Sequence, residues 1–145
     1  MADDTAVRRA AAFRATREAH ASEMAEDYVE LIGDLIEEHG EARVIDLAQH
    51  MGVTQPTVAK IIQRLKSLGL VQNRRYRALF LTDAGKALAT RSRERHQVVV
   101  DFLVALGIDP EIAAIDSEGM EHHVSDATLQ AMRGVVMGSS AQDKA

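Results

Sequence analysis

The chain contains no cysteine. That excludes disulfides, thiolate nucleophiles and sulfur-ligated zinc, so any metal must be held by oxygen and nitrogen donors. Proline occurs only twice, and the nine glycines are scattered, which excludes collagen-like and low-complexity chains. Aromatic residues make up 3% of the sequence and leave little to line a pocket for a flat ligand, so no small organic ligand is expected. No apolar run approaches the roughly 20 residues that a bilayer requires. The opening "MADDTAVRRAAAFR" lacks the apolar core of a signal peptide, so the expected setting is the cytoplasm, with no membrane partner. Catalytic signatures are missing as well. There is no H-E-x-x-H, no phosphate loop, no G-x-S-x-G and no EF-hand loop, and the chain is not expected to be an enzyme.

What is present is charge, sorted by position. The net charge is −5, yet residues 43–93 alone carry +8, while residues 1–42 carry −7 and residues 94–145 carry −6. A basic block between acidic segments is the signature of two roles in one chain, one of them compatible with nucleic acid.

The apolar pattern is mainly helical. A first helix is expected from about residue 6 to 39, with Tyr28, Leu31, Ile32, Leu35 and Ile36 as its stripe, residues 1–5 frayed and Gly40 as its stop. "RVIDLAQHMG" predicts a short helix ended by Gly52. "VTQPTVAKIIQRLKSLG" predicts a third, capped by Thr54, with Pro56 tolerated in its first turn and Val58, Ile61, Ile62, Leu65 and Leu68 buried. "LVQNRRYRALFL" suits two short strands, Leu70-Val71 and Leu79 to Leu81, around a basic turn. Thr82 should cap a long helix stopped by Gly107. Glu111 to His123 should form one helix, and Asp126 to about Met137 a last one. The expected organisation is an N-terminal extension (1–21), a DNA-binding domain (22–90), a helical domain (91–138) and a disordered polar tail (139–145).

Helix, glycine break, helix and basic hairpin is the order of a winged helix-turn-helix. With its stripe buried, the third helix turns Gln55, Thr57, Lys60, Gln63 and Arg64 outward. Gln55 and Thr57 suit base edges, while Lys60 and Arg64 suit phosphates. Thr54 and Pro56, which open the same helix, are expected among the DNA-contacting residues, and Arg74, Arg75 and Arg77 at the hairpin suit the backbone beside the groove. The plainer alternative is a solvated amphipathic helix beside a charged loop.

A second set of residues has no counter-charge. Glu118, Glu121 and His122, in "DSEGMEHHVS", would share a face if the segment were helical. Asp27 and Glu30 are spaced i, i+3 on the first helix, and His96 lies on an apolar stripe with Val99, Val100 and Leu103. Each has a plain reading, as an acidic surface, an exposed helix turn or a core histidine. Brought together, four carboxylates would repel one another. Divalent cations would cancel the charge, and oxygen plus imidazole donors suit Mn(II) or Fe(II). His123, rotated away from His122, reads as a packing or supporting residue.

The segments "EDYVELI" (26–32), "VTQPTVAKIIQRL" (53–65), "RERHQ" (93–97) and "EGMEHHVS" (118–125) resemble the manganese transport regulator branch of the diphtheria toxin repressor family. The resemblance spans roughly residues 22–130. It implies a mainly α fold, with an N-terminal winged helix-turn-helix followed by a helical dimerisation domain. It also implies a metal-activated repressor that binds double-stranded operator DNA as a homodimer. The family's metal ligands carry over onto Asp27, Glu30, His96, Glu118, Glu121 and His122. Iron-responding members have Met at the position of Asp27 and Cys at that of Glu118, so carboxylates here point to Mn(II), with Fe(II) and other divalent ions also able to bind. No segment corresponds to the SH3-like domain of the longer iron-type members. Two departures stand out: Ala78 follows Tyr76-Arg77 where the family usually has Gly, and Val100 replaces a carboxylate often found four residues after the histidine. The apolar stretch "QVVVDFLVALGI" (97–108) is the expected dimer core, with the last helix beside it.

Two other classes fit parts of the pattern. A small metallohydrolase would use the same donors to activate water, but nothing reads as a positioned nucleophile and the basic block would be idle. A winged-helix regulator sensing a phenolic ligand would leave the acidic residues idle.

Overall fold

The structure is a computed structural model describing residues 2–73 and 78–143. The wing residues Arg74, Arg75 and Arg77 lie outside the described residues. Seven helices and two strands are described: α1 (Ala2–His39), α2 (Val44–Met51), α3 (Gln55–Ser67), β1 (Val71–Asn73), β2 (Leu79–Leu81), α4 (Asp83–Ala105), α5 (Pro110–Ser117), α6 (Met120–His123) and α7 (Asp126–Asp143). None of the described helices is long and apolar enough to cross a membrane. The chain divides into two compact units, residues 24–92 and residues 1–23 with 93–145.

The first unit has the order of a winged helix. The end of α1 buries Tyr28, Ile32 and Leu35 of the expected stripe, together with Val29, against Leu47, Val58, Ile62, Leu65, Val71, Leu79 and Leu81, while Leu31 and Ile36 of that stripe are only partly buried. Gly52, at φ 67°, makes the left-handed turn between α2 and α3 that other residues adopt only under strain. β1 and β2 pair antiparallel, with Val71 opposite Leu81 and Asn73 opposite Leu79. Ala42 adds a bridge on the other side of β2, where Leu79 N donates to Ala42 O at 2.8 Å. The first strand therefore begins one residue later than expected and runs to Asn73, because Leu70 is occupied elsewhere: its carbonyl accepts Thr82 N at 3.0 Å. Thr82 closes this junction. Its hydroxyl donates to Gly69 O at 2.6 Å and accepts Gly85 N at 3.1 Å, capping α4 as its sequence context suggests.

The second unit is built on the C-terminal part of α4. Val99 packs with Leu129 and Met132 of α7, bordered by Val98, Phe102, Leu103 and Val124. The apolar stretch expected as a dimer core thus does lie beside the last helix. Val104, Leu106, Ile108, Ile112 and Ile115 remain exposed.

Three expectations change. The segment 111–123 is two helices, not one: α5 ends at Ser117, and Gly119, at φ 91°, turns the chain before α6. The last helix continues past Met137 to Asp143, through residues expected to form a disordered tail. Small and polar residues without proline carry no signal that stops a helix, and Gly138 only weakens it. Likewise α1 begins at Ala2 rather than after a frayed start, as its Ala- and Arg-rich composition allows.

Candidate functional site

The outward face of α3 emerges as the sequence suggests. Val58, Ile62 and Leu65 are buried, and Gln55, Pro56, Thr57, Lys60, Gln63 and Arg64 are exposed. Thr54 is the N-cap. Its Oγ1 accepts the Thr57 amide at 3.4 Å and lies 2.9 Å from the Thr57 hydroxyl. Thr54 therefore has a folding role whatever it contacts outside, and the Thr57 hydroxyl is engaged while its methyl is not. Gln55, Lys60 and Arg64 have the reach and the exposure to meet a groove and its phosphates.

The acidic residues divide between the units. In the first, Asp27 and Glu30 sit together on α1, both partly buried. Ser92, itself buried, donates its hydroxyl to Glu30 Oε2 at 3.0 Å. Sequence reasoning missed this partner, since a lone serine in a helix carries no signal. Burial raises the Tyr28 phenol above its ordinary value, and the adjacent Asp27 carboxylate adds to the shift.

In the second unit, α4 and α6 bring His96, Glu118 and Glu121 together, with ligand-capable atoms of all three within 4.8 Å of one another. His96 Nδ1 and His122 Nε2 both stand 3.4 Å from Glu121 Oε1, and His96 Nε2 is 4.0 Å from Glu118 Oε1. His96 is therefore no idle core histidine. Glu118 joins from the α5–α6 break, so the residues converge through a turn and not along one helical face. Glu118 is exposed, while Glu121 and His122 are buried.

Arg95 holds this arrangement. Its guanidinium donates to Glu121 O at 2.7 Å, to Val124 O at 2.6 Å and to Asp126 Oδ1 at 3.0 Å. A four-residue helix cannot support itself, and the arginine satisfies carbonyls at its end. The signal was present in "RERHQ", but the role of Arg95 needs the fold.

The donor set fits a divalent cation. Glu121 Oε2 is a buried side-chain oxygen with no hydrogen-bond partner among the described residues. A carboxylate so placed is costly unless something positive completes it. Oxygen and imidazole donors without sulfur suit Mn(II) and Fe(II).

Residues 20–79 match the family model described as iron dependent repressor, N-terminal DNA binding domain. Residues 82–137 match the iron dependent repressor metal binding and dimerisation domain. The transcriptional regulator MntR of Escherichia coli O6:H1 is 58% identical over 121 residues, covering 83% of this chain and 78% of that protein. The chain belongs to the diphtheria toxin repressor (DtxR) family, in its MntR branch. MntR of Salmonella typhimurium is 56% identical over 132 residues, covering 90% of this chain and 84% of that protein. Among solved structures, a manganese-dependent transcriptional repressor in complex with manganese superposes with a TM-score of 0.69 at 30% identity. The match covers 77% of this chain and 52% of that one, so this MntR-branch chain spans about half the length of that repressor.

Proposed function

We propose that this protein is a manganese-responsive, DNA-binding transcriptional repressor of metal-uptake genes that acts in the cytoplasm as a homodimer. The observation that carries the reading is the buried Glu121 carboxylate, flanked by two imidazoles and Glu118, with one oxygen lacking a hydrogen-bond partner among the described residues. Its occurrence in a chain of the MntR branch makes Mn(II) the cognate ion.

The ligand set is Asp27, Glu30, His96, Glu118, Glu121 and His122. A bound divalent ion would supply the positive charge that the four carboxylates of this set lack. Asp27 and Glu30 belong to the helix that enters the DNA-binding unit, whereas the other four belong to the helical unit. When all six share one cluster, α1 is tied at that point. When the cluster is unneutralised, its carboxylates repel and the tie is lost. Two α3 helices in a dimer must meet successive major grooves about 34 Å apart, so fixing each head favours the operator. On α3, Gln55 and Thr57 read bases. Lys60 and Arg64, with the wing residues Arg74, Arg75 and Arg77, neutralise phosphates. Thr54 and Pro56 set the start of that helix. The exposed apolar residues from Val104 to Ile115 supply the dimer contact, away from the ligands.

The test is operator binding measured with Mn(II), with Fe(II) and after chelation. Mn(II) should tighten binding by roughly 5- to 150-fold, the usual range of coupling between two sites, and operator DNA should tighten Mn(II) binding equally. Equal affinity after chelation would refute metal activation. A larger response to Fe(II) than to Mn(II) would make iron the signal.

A further inference from the structure

A second group of donors lies in the helical unit, made of residues outside the six-ligand set above. His20 and Glu23 are one turn apart on α1, and His123 ends α6. His20 Nδ1 is 3.3 Å and His123 Nε2 is 3.6 Å from the same oxygen, Oε2 of Glu23. The two imidazoles meet edge to face, with ring centroids 4.9 Å apart and planes at 75°. All three side chains present a ligand atom within 4.8 Å of the others. Glu23 Oε1 also lies beside the turn before α6, 3.6 Å from the point where a Cβ on Gly119 would lie, an ordinary contact distance.

The spacing favours an ion over direct pairing. Both nitrogen–oxygen separations exceed the 2.7–3.2 Å of a good hydrogen bond. Tetrahedral ligands at about 2.1 Å from zinc are about 3.4 Å from one another, close to the 3.3 and 3.6 Å that separate the two imidazole nitrogens from the Glu23 oxygen. Two imidazoles and one carboxylate make a three-ligand set that leaves a fourth position to water. With two imidazoles but a single carboxylate, against four carboxylates in the six-ligand set, it favours Zn(II) or Co(II) over Mn(II).

We propose that His20, Glu23 and His123 form a separate site for a nitrogen-preferring divalent cation, Zn(II) being the first candidate. An ion held there clamps the early part of α1 onto α6, the helix that carries Glu121 and His122. The N-terminal extension thereby gains a purpose, because it delivers His20 to α6. None of its three side chains belongs to the six-ligand set, although Glu23 also presents an oxygen within 4.8 Å of a ring nitrogen of His122, a member of that set.

The experiment is Zn(II) titration of the full, metal-stripped chain by calorimetry, repeated with Co(II) and visible absorption. His20→Ala and His123→Gln should each bind one equivalent per protomer fewer than the unaltered chain and lose the corresponding Co(II) band. Glu121→Gln should lose capacity at the other cluster and keep this equivalent. His20 is exposed on a helix, so its alanine variant folds. Equal Zn(II) stoichiometry in the unaltered chain and in His20→Ala overturns the site. Loss in His123→Gln alone overturns it too, since it would place His123 with the neighbouring cluster. Failure of Mn(II) to promote operator binding, with the His20-dependent equivalent intact, would count only against the repressor reading.

Discussion

His96 Nδ1 stands 3.4 Å from Glu121 Oε1, across the space between α4 and α6, while the other oxygen of the same carboxylate is buried without a hydrogen-bond partner among the described residues. A negative charge in that position destabilises the metal-free chain and is useful only when a cation arrives. Glu121→Gln keeps the shape and removes the charge. It should lower Mn(II) affinity by at least tenfold and abolish metal-dependent operator binding. The metal-free protein should melt at the same temperature or slightly higher, because the amide is cheaper to bury. A clear fall in the metal-free melting temperature would make Glu121 a structural residue.

Arg95 gives a separate test of how the cluster is held. It supplies no ligand atom of its own, yet it anchors the carbonyls of Glu121 and Val124. Removing a residue that orients ligands typically costs 10- to 100-fold in metal affinity. Arg95→Ala should fall in that range while leaving metal-independent, nonspecific DNA binding intact. Arg95→Lys should rescue little, since one ammonium cannot reproduce the fork that reaches three acceptors. Full Mn(II) affinity in Arg95→Ala, measured by calorimetry, would show that α6 holds its place unaided.

Much of this was legible because the pattern is local. Most of the buried stripe of α3, its Thr54 cap and the glycine at position 52 follow from spacing and backbone preference and appear where expected, whereas Leu68, expected buried, is exposed at the end of the helix, where no further turn covers it. The break at Glu118–Gly119 was less legible. The i, i+3 spacing of Glu118 and Glu121 imitates a helical face, and a glycine inside a helical pattern is ambiguous until its φ is known. The convergence of these residues with His96 therefore came through a different local geometry from the one the spacing implies. Ser92 and Arg95 were illegible as supporting residues, since their partners lie 62 and 26–31 residues away along the chain. The extension of α7 was hidden because Gly, Ser and Ala carry weak preferences that the adjoining helix overrides.

Ser92 tests the other end of the proposed ligand set. Its buried hydroxyl fixes one oxygen of Glu30 at 3.0 Å. Ser92→Ala should weaken Mn(II) binding about tenfold, the lower end for an orienting contact. Loss of one hydrogen bond to a charged group should cost about 1.5–3 kcal/mol of stability. Ser92→Thr should restore most of the affinity if the hydroxyl is what matters. Equal weakening in both variants would point to packing alone.

Gly85 lies where α4 begins, and no larger residue fits there. A Cβ at this position would stand 2.1 Å from the carbonyl oxygen of Leu70, which is backbone and already accepts Thr82 N. Gly85→Ala should therefore destabilise the DNA-binding unit by roughly 1–3 kcal/mol or more, the usual cost of forcing atoms into a filled space. The gain in helix propensity from alanine, up to about 1 kcal/mol, is too small to offset it. Denaturant unfolding would register the change, and an unaltered midpoint would mean that the Leu70–Thr82 junction yields easily.

Lys60 separates a phosphate contact from a base contact. It is exposed on the outward face of α3, one turn beyond the Thr54–Thr57 cap, and takes no part in the buried stripe. Its charge should release about one counterion on binding duplex DNA. Lys60→Ala should then weaken binding by a similar factor on operator and on unrelated sequence, and should flatten the log–log salt slope by about one. Gln55→Ala should behave oppositely, lowering the ratio of operator to nonspecific affinity while leaving the slope unchanged, since a neutral side chain displaces no cation. If Lys60→Ala loses affinity only on the operator and keeps its slope, Lys60 reads a base, and the outward face of α3 must sit rotated in the groove, with Gln55 turned away from the base edges.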